Sequence, residues 1–207
     1  MAKVGKPVCK ICRKFTQKLY LKGRRCDTSK CPIEVTKNVK FRGKRPKKIS
    51  EYGVQLREKN KVKVYYGVLE RQFSRYFEIA RNMKGVTGET LLQMLECRLD
   101  NTVYELNWSY SRRMARQMVV AGAVTVNGRK IDKPGHVVKV GDEITMKEKS
   151  RYSSQAKTCV EELQNSAVPA WIETTPNVLK GKILRLPTRS EVTVPAEEQL
   201  IVNLYSK

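Results

Sequence analysis

The chain has 207 residues, of which 40% are hydrophobic, and its formal net charge is +22. This length suffices for one large or two small domains, and no apolar run approaches the roughly 20 residues of a membrane-spanning helix, which excludes a helical membrane protein. Positive charge in such excess would repel itself in a free compact protein, so we expect a polyanionic partner, namely nucleic acid.

The positive charge is concentrated near the N-terminus. Residues 1–50 contain 17 Lys and Arg against two acidic residues. Residues 37–48 lack the apolar stripe that a helix on an anionic membrane surface requires. We therefore predict an extended basic arm that becomes ordered on its partner, and we expect no membrane partner.

Four cysteines in the first 31 residues form two short-spaced pairs, Cys9 with Cys12 and Cys26 with Cys31. Two such pairs joined by a loop of 13 residues are typical of a structural zinc site, so we predict one Zn²⁺ ion bound by the four thiols. Disulfides, free thiols and an iron–sulfur cluster are the alternatives. The N-terminus lacks an apolar signal segment, so we expect a reducing cytoplasm, which disfavours disulfides. The surrounding cations are expected to lower the pKa of these thiols.

Helical patterns follow the arm. Ser50 is placed to cap a helix, a second helix is predicted over residues 68–84, and a third starts at Thr87 or Thr90 with apolar periodicity that continues to Leu106. The basic residues of the first of these helices are expected to face largely outward; they are Arg57, Lys59, Lys61 and Lys63.

The pattern then changes to short strands. Ser109 or Ser111 caps a basic helix over residues 112–120. The sequence Asn127-Gly128 between alternating residues predicts a two-residue hairpin, because both turn positions favour positive φ. One face of the basic helix carries four polar residues, Arg112, Arg113, Arg116 and Gln117.

Further elements complete the pattern. A second strand pair is predicted at 137–140 and 143–146, a helix at 153–164, a strand at 183–186 and a closing helix at 195–205. The order of helices, small β elements and a final helix predicts an α+β fold with the sheet confined to one region.

Cations from the basic helix and the hairpin are expected to share a surface. Such a surface suits folded RNA, because double-stranded RNA is recognised mainly through phosphates, 2′-hydroxyls and shape. The candidate RNA-binding residues are Lys10, Arg13, Lys22, Arg24, Arg25, Arg42, Lys44, Arg45, Lys47, Lys48, Arg57, Lys59, Lys61, Arg71, Arg75, Ser111, Arg112, Arg113, Arg116, Gln117, Asn127, Arg129 and Lys130.

The order of these pieces resembles a known RNA-binding module. The matching residues are Arg98-Leu99-Asp100-Asn101, Ser111-Arg112-Arg113, Ala115-Arg116-Gln117, Val126-Asn127-Gly128 and Gly141-Asp142. The module is named after the fourth protein of the small ribosomal subunit and also occurs in RNA-modifying enzymes. The flanking segments 52–59, 66–73 and 197–207 extend the resemblance over nearly the whole chain, to the bacterial uS4 family in its zinc-bearing form. Residues 41–48 depart from it, since that loop usually contains a histidine and this one contains none.

The resemblance implies a domain organisation. A zinc-binding basic segment is expected at 1–45, a mainly helical domain at 46–96 that segment 175–207 completes, and a small α/β RNA-binding domain with short hairpin strands at 97–174.

The resemblance also implies a function without catalysis. It implies a constituent of the small ribosomal subunit, in the cytoplasm, that binds small-subunit rRNA directly, nucleates assembly and contributes to translational accuracy. It further implies contact with the neighbouring ribosomal protein uS5 and a position near the path by which mRNA enters the particle, with no small-molecule substrate.

Residues that could support other chemistry are few. A pseudouridine synthase would use an aspartate such as Asp100, but only 61 residues follow Met146, too few for its catalytic domain, and Asp100 is expected on a helix surface or at a cap. The single histidine, His136, is expected in an exposed turn, which disfavours a metallohydrolase. A zinc-finger transcription factor would place a pair of ligands on a groove-reading helix. The four cysteines here all precede a basic arm and a separate helical body, which disfavours that class. Cys97 and Cys159 are expected to be buried structural thiols.

Overall fold

The computed structural model describes residues 7–37, 49–164, 166–175 and 178–206. These residues fall into two units, one formed by the described residues up to Thr90 together with those from Val194, the other by Leu91 to Thr193. Helices combine with a small antiparallel sheet, which confirms the predicted α+β class. No helix in the described ranges is both long and apolar enough to cross a lipid bilayer.

The elements are as follows in chain order. The α-helices are α1 (Val8–Phe15), α2 (Pro32–Lys37), α3 (Glu51–Tyr65), α4 (Glu70–Asn82), α5 (Thr87–Glu96), α6 (Leu99–Glu105), α7 (Arg112–Val120), α8 (Ser153–Glu162) and α9 (Glu198–Tyr205). The strands are β1 (Val124–Val126), β2 (Arg129–Lys130), β3 (Glu143–Met146), β4 (Ile172–Thr174) and β5 (Lys180–Ile183). Short 3₁₀ helices cover Gly23–Asp27 and Arg189–Glu191.

The described part of the first unit is helical. Helix α3 begins at the predicted cap, where the Ser50 hydroxyl accepts a hydrogen bond from the Gly53 N–H at 3.2 Å. Helix α9 returns from the end of the chain and packs against α3. The Tyr205 ring stacks on Phe77 with 4.3 Å between ring centroids. The C-terminal helix therefore shares one core with helices α3 and α4 in this unit.

The second unit contains the sheet. Its strands, within the described residues, lie in the order β2-β1-β3-β5-β4 and pair antiparallel throughout. Val124 and Val126 point into the core from β1, as expected for alternation in a half-buried strand. Asn127 and Gly128 have φ values of 50° and 76°, which confirms the predicted hairpin between β1 and β2.

The predicted long third helix is interrupted. Helix α5 ends at Glu96 and α6 begins at Leu99, although the apolar periodicity runs through both. The chain turns here because the Leu99 N–H donates to the carbonyl of His136 at 2.8 Å and Arg98 forms an isolated bridge with Val137. A long-range backbone contact thus overrides local helix propensity.

Of the two strands predicted at 137–140 and 143–146, only the second is present. Residues 143–146 form β3, but Val137 makes only the isolated bridge and the rest of 137–140 is irregular. Strand β3 pairs instead with β1 and β5. The strand predicted at 183–186 begins earlier and ends at Ile183.

The two compact units meet between Thr90 and Leu91, and the chain returns to the helical unit at Val194. Strands β4 and β5 belong to the sheet of the second unit, where β5 is hydrogen-bonded to β3. The domain boundaries predicted after residue 96 and at residue 175 stay predictions. Residues 7–37 and 49–90 lie in a single unit.

Candidate nucleic-acid interface

The four N-terminal thiols line one small cavity. Cys9 and Cys12 are three residues apart on α1, Cys26 lies on the 3₁₀ helix Gly23–Asp27, and Cys31 directly precedes α2. The cavity measures about 20 Å³. Three separate elements therefore bring both cysteine pairs to the same place, as the spacing predicts for a metal site.

Backbone amides point at two of these sulfur atoms. The Lys22 N–H donates to the Cys26 Sγ at 3.4 Å, and the Leu19 N–H donates to Cys12. Burial nevertheless raises the pKa of both Cys12 and Cys26. The expectation that the pKa of the thiols is lowered is therefore wrong for these two, because burial outweighs the hydrogen bonds from backbone N–H groups.

None of the six cysteines, all of which lie in the described ranges, forms a disulfide bond. Cys97 and Cys159 are 1% and 0% exposed, which confirms that they are buried, and burial raises the pKa of Cys97 to about 12. In the described ranges no group of three or more His, Cys, Asp or Glu side chains is arranged so that it could hold a metal ion as it stands. The four thiols thus line one cavity, but their side chains are not positioned as metal ligands in this structure.

Exposed cations lie close in sequence to the residues of this cavity. Within residues 7–37, the exposed members of the predicted RNA-binding set are Lys10, Arg13, Lys22, Arg24 and Arg25. An acidic partner is nearby for Lys18, whose ammonium lies 2.6 Å from Glu34. The N-terminal part of the first unit therefore presents a dense positive surface to solvent. The predicted arm residues Arg42, Lys44, Arg45, Lys47 and Lys48 lie outside the described residues.

The cations of α3 do not all face outward as predicted. Lys61 is only 6% exposed, and its ammonium donates to the Pro195 carbonyl at 2.7 Å and pairs with Glu58 at 2.7 Å. Arg57 donates to the carbonyl of Lys14 at 3.2 Å. These two residues hold other segments of the first unit, so their predicted role in RNA binding is not supported by exposure.

Two further cations of this helix share one carboxylate. Lys59 and Lys63 lie 2.6 Å and 2.7 Å from the two oxygens of Glu70, and hydrogen bonds from both lysines hold the pKa of Glu70 below its usual value despite partial burial. On α4, by contrast, Arg71 and Arg75 are exposed one turn apart. Of the predicted cations of α3 and α4, the two arginines of α4 are the ones that face solvent.

Helix α7 begins at the predicted cap, since the Ser111 hydroxyl accepts from the Met114 N–H at 3.3 Å. Arg113 and Gln117 are exposed, as predicted for the polar face. Arg112 and Arg116 are not: their side chains are 10% and 24% exposed. The polar face therefore consists of two residues that face solvent and two that face the protein.

Arg112 belongs to a polar network between α5, α6 and α7. It donates to Asn101 Oδ1 at 2.7 Å and to Glu105 at 2.9 Å, and its guanidinium lies over the Tyr104 ring. The Asn101 amide donates to Glu96. Burial, with the Glu96 carboxylate adding to it and Arg112 opposing it, raises the pKa of Glu105 to about 7. This network fixes α7 to its neighbours.

Asp100 is the centre of a second ion-pair group. It is 4% exposed and lies 2.7 Å from Arg98 and 3.0 Å from Arg116. Asp100 is therefore neither on an exposed helix surface nor at the N-cap of α6, which is Arg98, so both forms of the expectation are wrong. Its enclosure between two guanidinium groups leaves it inaccessible to a nucleotide. The sequence contained a signal for this buried polar group, because Arg98, Asp100 and Asn101 are polar residues within an apolar helical period.

The hairpin carries the remaining predicted residues. Arg129 and Lys130 are exposed, and the aliphatic stem of Lys130 packs over Gly122. The Asn127 side chain donates to Asp142 at 2.8 Å and accepts from the Glu143 N–H at 2.9 Å. Asn127 therefore joins the hairpin to β3, while Arg129 and Lys130 are available to a partner.

Family models match both parts of the chain. Residues 3–96 match the ribosomal protein S4/S9 N-terminal domain, and residues 97–144 match the S4 domain. Among curated proteins, the small ribosomal subunit protein uS4 of Acetivibrio thermocellus is 49% identical over 208 residues, covering the whole of both chains. Protein uS4A of Symbiobacterium thermophilum and uS4 of Dictyoglomus turgidum are 48% and 47% identical over the same full extent. These relatives are named as ribosomal proteins and not as enzymes.

Proposed function

This chain belongs to the uS4 family of small ribosomal subunit proteins, and we propose that it binds small-subunit rRNA directly as a structural constituent of the particle. The observation that carries the proposal is the set of exposed cations around the four-thiol cavity: Lys10, Arg13, Lys22, Arg24 and Arg25. Such cations bind phosphates independently of base sequence, while the fold sets their relative positions.

We propose a second contact surface on the other unit. Arg113 and Gln117 on α7, with Arg129 and Lys130 on the hairpin, are exposed. The ion pairs of Arg112 with Glu105 and of Arg116 with Asp100 fix α7 to α6. Cations on two separate units would let one chain bind two RNA segments, which suits a role in shaping a folded RNA.

The test is a binding measurement on the full chain. Affinity for the 5′ part of small-subunit rRNA is compared with affinity for duplex DNA at matched salt, and the salt dependence is measured for wild type and for the triple variant Arg13→Gln, Lys22→Gln, Arg25→Gln. Each phosphate contact contributes roughly 0.7 to 0.9 to the slope of log K against log salt, so the triple variant is expected to lower the slope by about 2.

The chain offers a matched control. Arg185 is bound to Glu191 by hydrogen bonds at 2.6 and 2.7 Å, so Arg185→Gln removes a cation that is already neutralised and should leave the slope unchanged. Equal affinity for rRNA and duplex DNA at physiological salt would contradict the proposal. So would an unchanged slope in the triple variant.

We also propose that Cys9, Cys12, Cys26 and Cys31 hold one structural Zn²⁺ ion. All four donors are thiols that line one cavity, and two of the sulfurs accept backbone N–H groups, as sulfur ligands commonly do. Two short-spaced cysteine pairs are the ligand pattern of a structural zinc site, with an iron–sulfur cluster as the alternative. The ion would tie α1, the 3₁₀ helix and α2 together.

Metal analysis of the purified protein tests this proposal. One zinc per chain is expected in wild type, with loss of the metal in Cys12→Ser and in Cys26→Ser. Cys159→Ser is the control, because this thiol is buried in the other unit and should not affect the metal. Bound iron, or no stoichiometric metal, would contradict the assignment.

The family relationship supports further roles. We propose that the protein acts early in subunit assembly in the cytoplasm, contacts the neighbouring protein uS5, lies near the path of incoming mRNA and affects decoding accuracy. Reconstitution of small subunits with and without the chain tests the first of these roles: later-joining proteins should bind less completely in its absence.

A further inference from the structure

Tyr20 has an unusual combination of backbone and side-chain environment. Its φ is 49°, in the left-handed region, and its side chain is 46% exposed. Bulky residues rarely adopt this conformation, because the Cβ approaches the backbone carbonyl. Among the described residues, the others with positive φ are glycines, two asparagines and Thr16, which ends α1. A large aromatic ring at such a position is therefore not explained by local preference.

Packing does not explain Tyr20 either. The neighbouring Leu19 is fully buried and Phe15 is 4% exposed, so the small core beside the thiols is filled by other side chains. The Tyr20 hydroxyl has no hydrogen-bond partner among the residues that the structure describes. The ring thus leaves much of its apolar surface in water.

The backbone on both sides of Tyr20 is anchored. The Leu19 N–H donates to Cys12 and the Lys22 N–H donates to Cys26 at 3.4 Å. Two hydrogen bonds to the thiol cavity therefore bracket the residue and hold its strained conformation. Because the backbone is already fixed, less conformational entropy is lost when the ring binds a partner.

The charge around Tyr20 indicates the kind of partner. Exposed cations follow it in sequence, with Lys22 two residues later and Arg24 and Arg25 four and five residues later. Cations that follow a phosphate backbone, combined with an exposed aromatic ring, are the features by which proteins bind unpaired nucleotides. Duplex RNA offers no base face to a tyrosine, because its bases are stacked and paired.

We propose that Tyr20 stacks on an unpaired base of the bound RNA, so that the N-terminal part of the protein recognises an unstacked nucleotide as well as phosphates. This inference rests on the proposed function. It adds a contact that is insensitive to salt and that selects a single-stranded feature of the RNA.

The test uses variants that remove the ring without straining the chain. Tyr20→Gly suits the left-handed backbone better than tyrosine does, and Tyr20→Phe keeps the ring but loses the hydroxyl. Tyr52→Ala is the matched control, since Tyr52 is 58% exposed but lies on the ordinary helical backbone of α3. Binding of full-length protein to the 5′ part of small-subunit rRNA is measured over a range of salt concentrations.

Loss of one stacking contact is expected to weaken binding of Tyr20→Gly by roughly 5- to 150-fold at every salt concentration, with the slope of log K against log salt unchanged. Tyr20→Phe and Tyr52→Ala should stay within about twofold of wild type. Near-ultraviolet and far-ultraviolet circular dichroism of the three variants should match wild type apart from the missing ring.

Three outcomes would overturn the inference. Wild-type affinity in Tyr20→Gly would show that no base stacks on the ring. A lower salt slope in Tyr20→Gly would show that the ring only supports the cations around it. Equal loss in Tyr20→Phe would assign the effect to the hydroxyl.

If wild type itself fails to bind rRNA, the proposed function fails first and the stacking contact fails with it.

Discussion

Arg112 and Arg113 are adjacent in sequence but differ in surroundings. Arg112 is fixed between Asn101 and Glu105 with its side chain 10% exposed, whereas Arg113 faces solvent from the same helix. Removing one partner of a buried ion pair leaves the other charge without compensation, which costs more than the pair itself contributes. The two arginines should therefore separate stability from RNA binding.

We predict that Arg112→Ala lowers the free energy of unfolding by roughly 3 kcal/mol, near the low end for a buried pair because Glu105 can take up a proton. Arg113→Ala should change it by less than about 0.5 kcal/mol. Arg113→Ala should instead reduce the salt slope of RNA binding by roughly 0.7 to 0.9. Urea unfolding and RNA titration check the two expectations, and equal destabilisation by both substitutions would contradict them.

Glu105 should make stability depend on pH. Burial raises its pKa to about 7 in the folded protein, above the usual value of 4.5. Between these values the folded state keeps a proton that the unfolded state has released. The contribution of this residue is therefore complete below pH 4.5 and is lost as pH rises toward and through 7.

The matched variant is Glu105→Gln, which stays neutral at all pH values. The free energy of unfolding of wild type minus that of the variant should fall as pH rises from about 4.5 to 8, by at most roughly 3 kcal/mol. Taking the difference removes the contribution of titrating groups that do not interact with Glu105. A difference that is flat, or that rises with pH, would disprove a protonated Glu105 in the fold.

At the scale of single elements, two glycines illustrate opposite constraints. A Cβ on Gly181 in β5 would lie 2.5 Å from the Cδ2 of Leu106, which is 2% exposed and cannot move away. A Cβ on Gly53 in α3 would lie 2.8 Å from the Cγ2 of Ile49, but that side chain is 50% exposed and can turn into solvent.

Alanine substitutions should therefore have opposite signs. Gly181→Ala is predicted to destabilise by about 1 to 3 kcal/mol through overpacking. Gly53→Ala is predicted to be neutral or to stabilise by up to about 1 kcal/mol, because alanine is the better helix former. Urea unfolding measures both.

A double-mutant cycle identifies the cause for Gly181. Leu106→Ala opens the space that the new methyl group needs, so the double variant with Gly181→Ala should be more stable than the sum of the two single effects by at least about 0.5 kcal/mol. Strict additivity would show that Leu106 is not the residue that excludes a side chain at position 181.

At the scale of the whole molecule, the first unit is discontinuous in sequence. Helix α9 supplies the fully buried Ile201 and the Tyr205 ring that stacks on Phe77, and the Pro195 carbonyl accepts from Lys61. The second unit is continuous and contains both tryptophans, Trp108 and Trp171, each at most 2% exposed. Tryptophan fluorescence therefore reports on the second unit alone.

We predict that deletion of residues 194–207 destabilises the helical unit and leaves the sheet-containing unit folded. The fluorescence midpoint in urea should stay close to that of wild type, while part of the helical circular dichroism should be lost at lower urea. Tyr205→Ala is the milder control and should show a smaller effect of the same kind. A parallel shift of both signals would mean that the units unfold as one.

Several parts of the fold and site were predictable from sequence for local reasons. The cap at Ser50, the cap at Ser111 and the turn at Asn127-Gly128 depend on residues within four positions of each other, and all three are confirmed. The family was also identifiable, because its residues recur in a fixed order along the chain. The spacing of the four cysteines predicted their convergence, although zinc itself remains a proposal.

Other features required the tertiary structure. The sequence by itself determined where the positive charge is concentrated and which segments begin helices and turns, since these properties belong to contiguous residues. Only the fold decided which cations face solvent. The Lys61 ammonium donates a hydrogen bond to the Pro195 carbonyl, and Arg116 forms an ion pair with Asp100. Charge follows from composition, but its availability to RNA depends on partners that lie far away in sequence and meet only when the chain is folded.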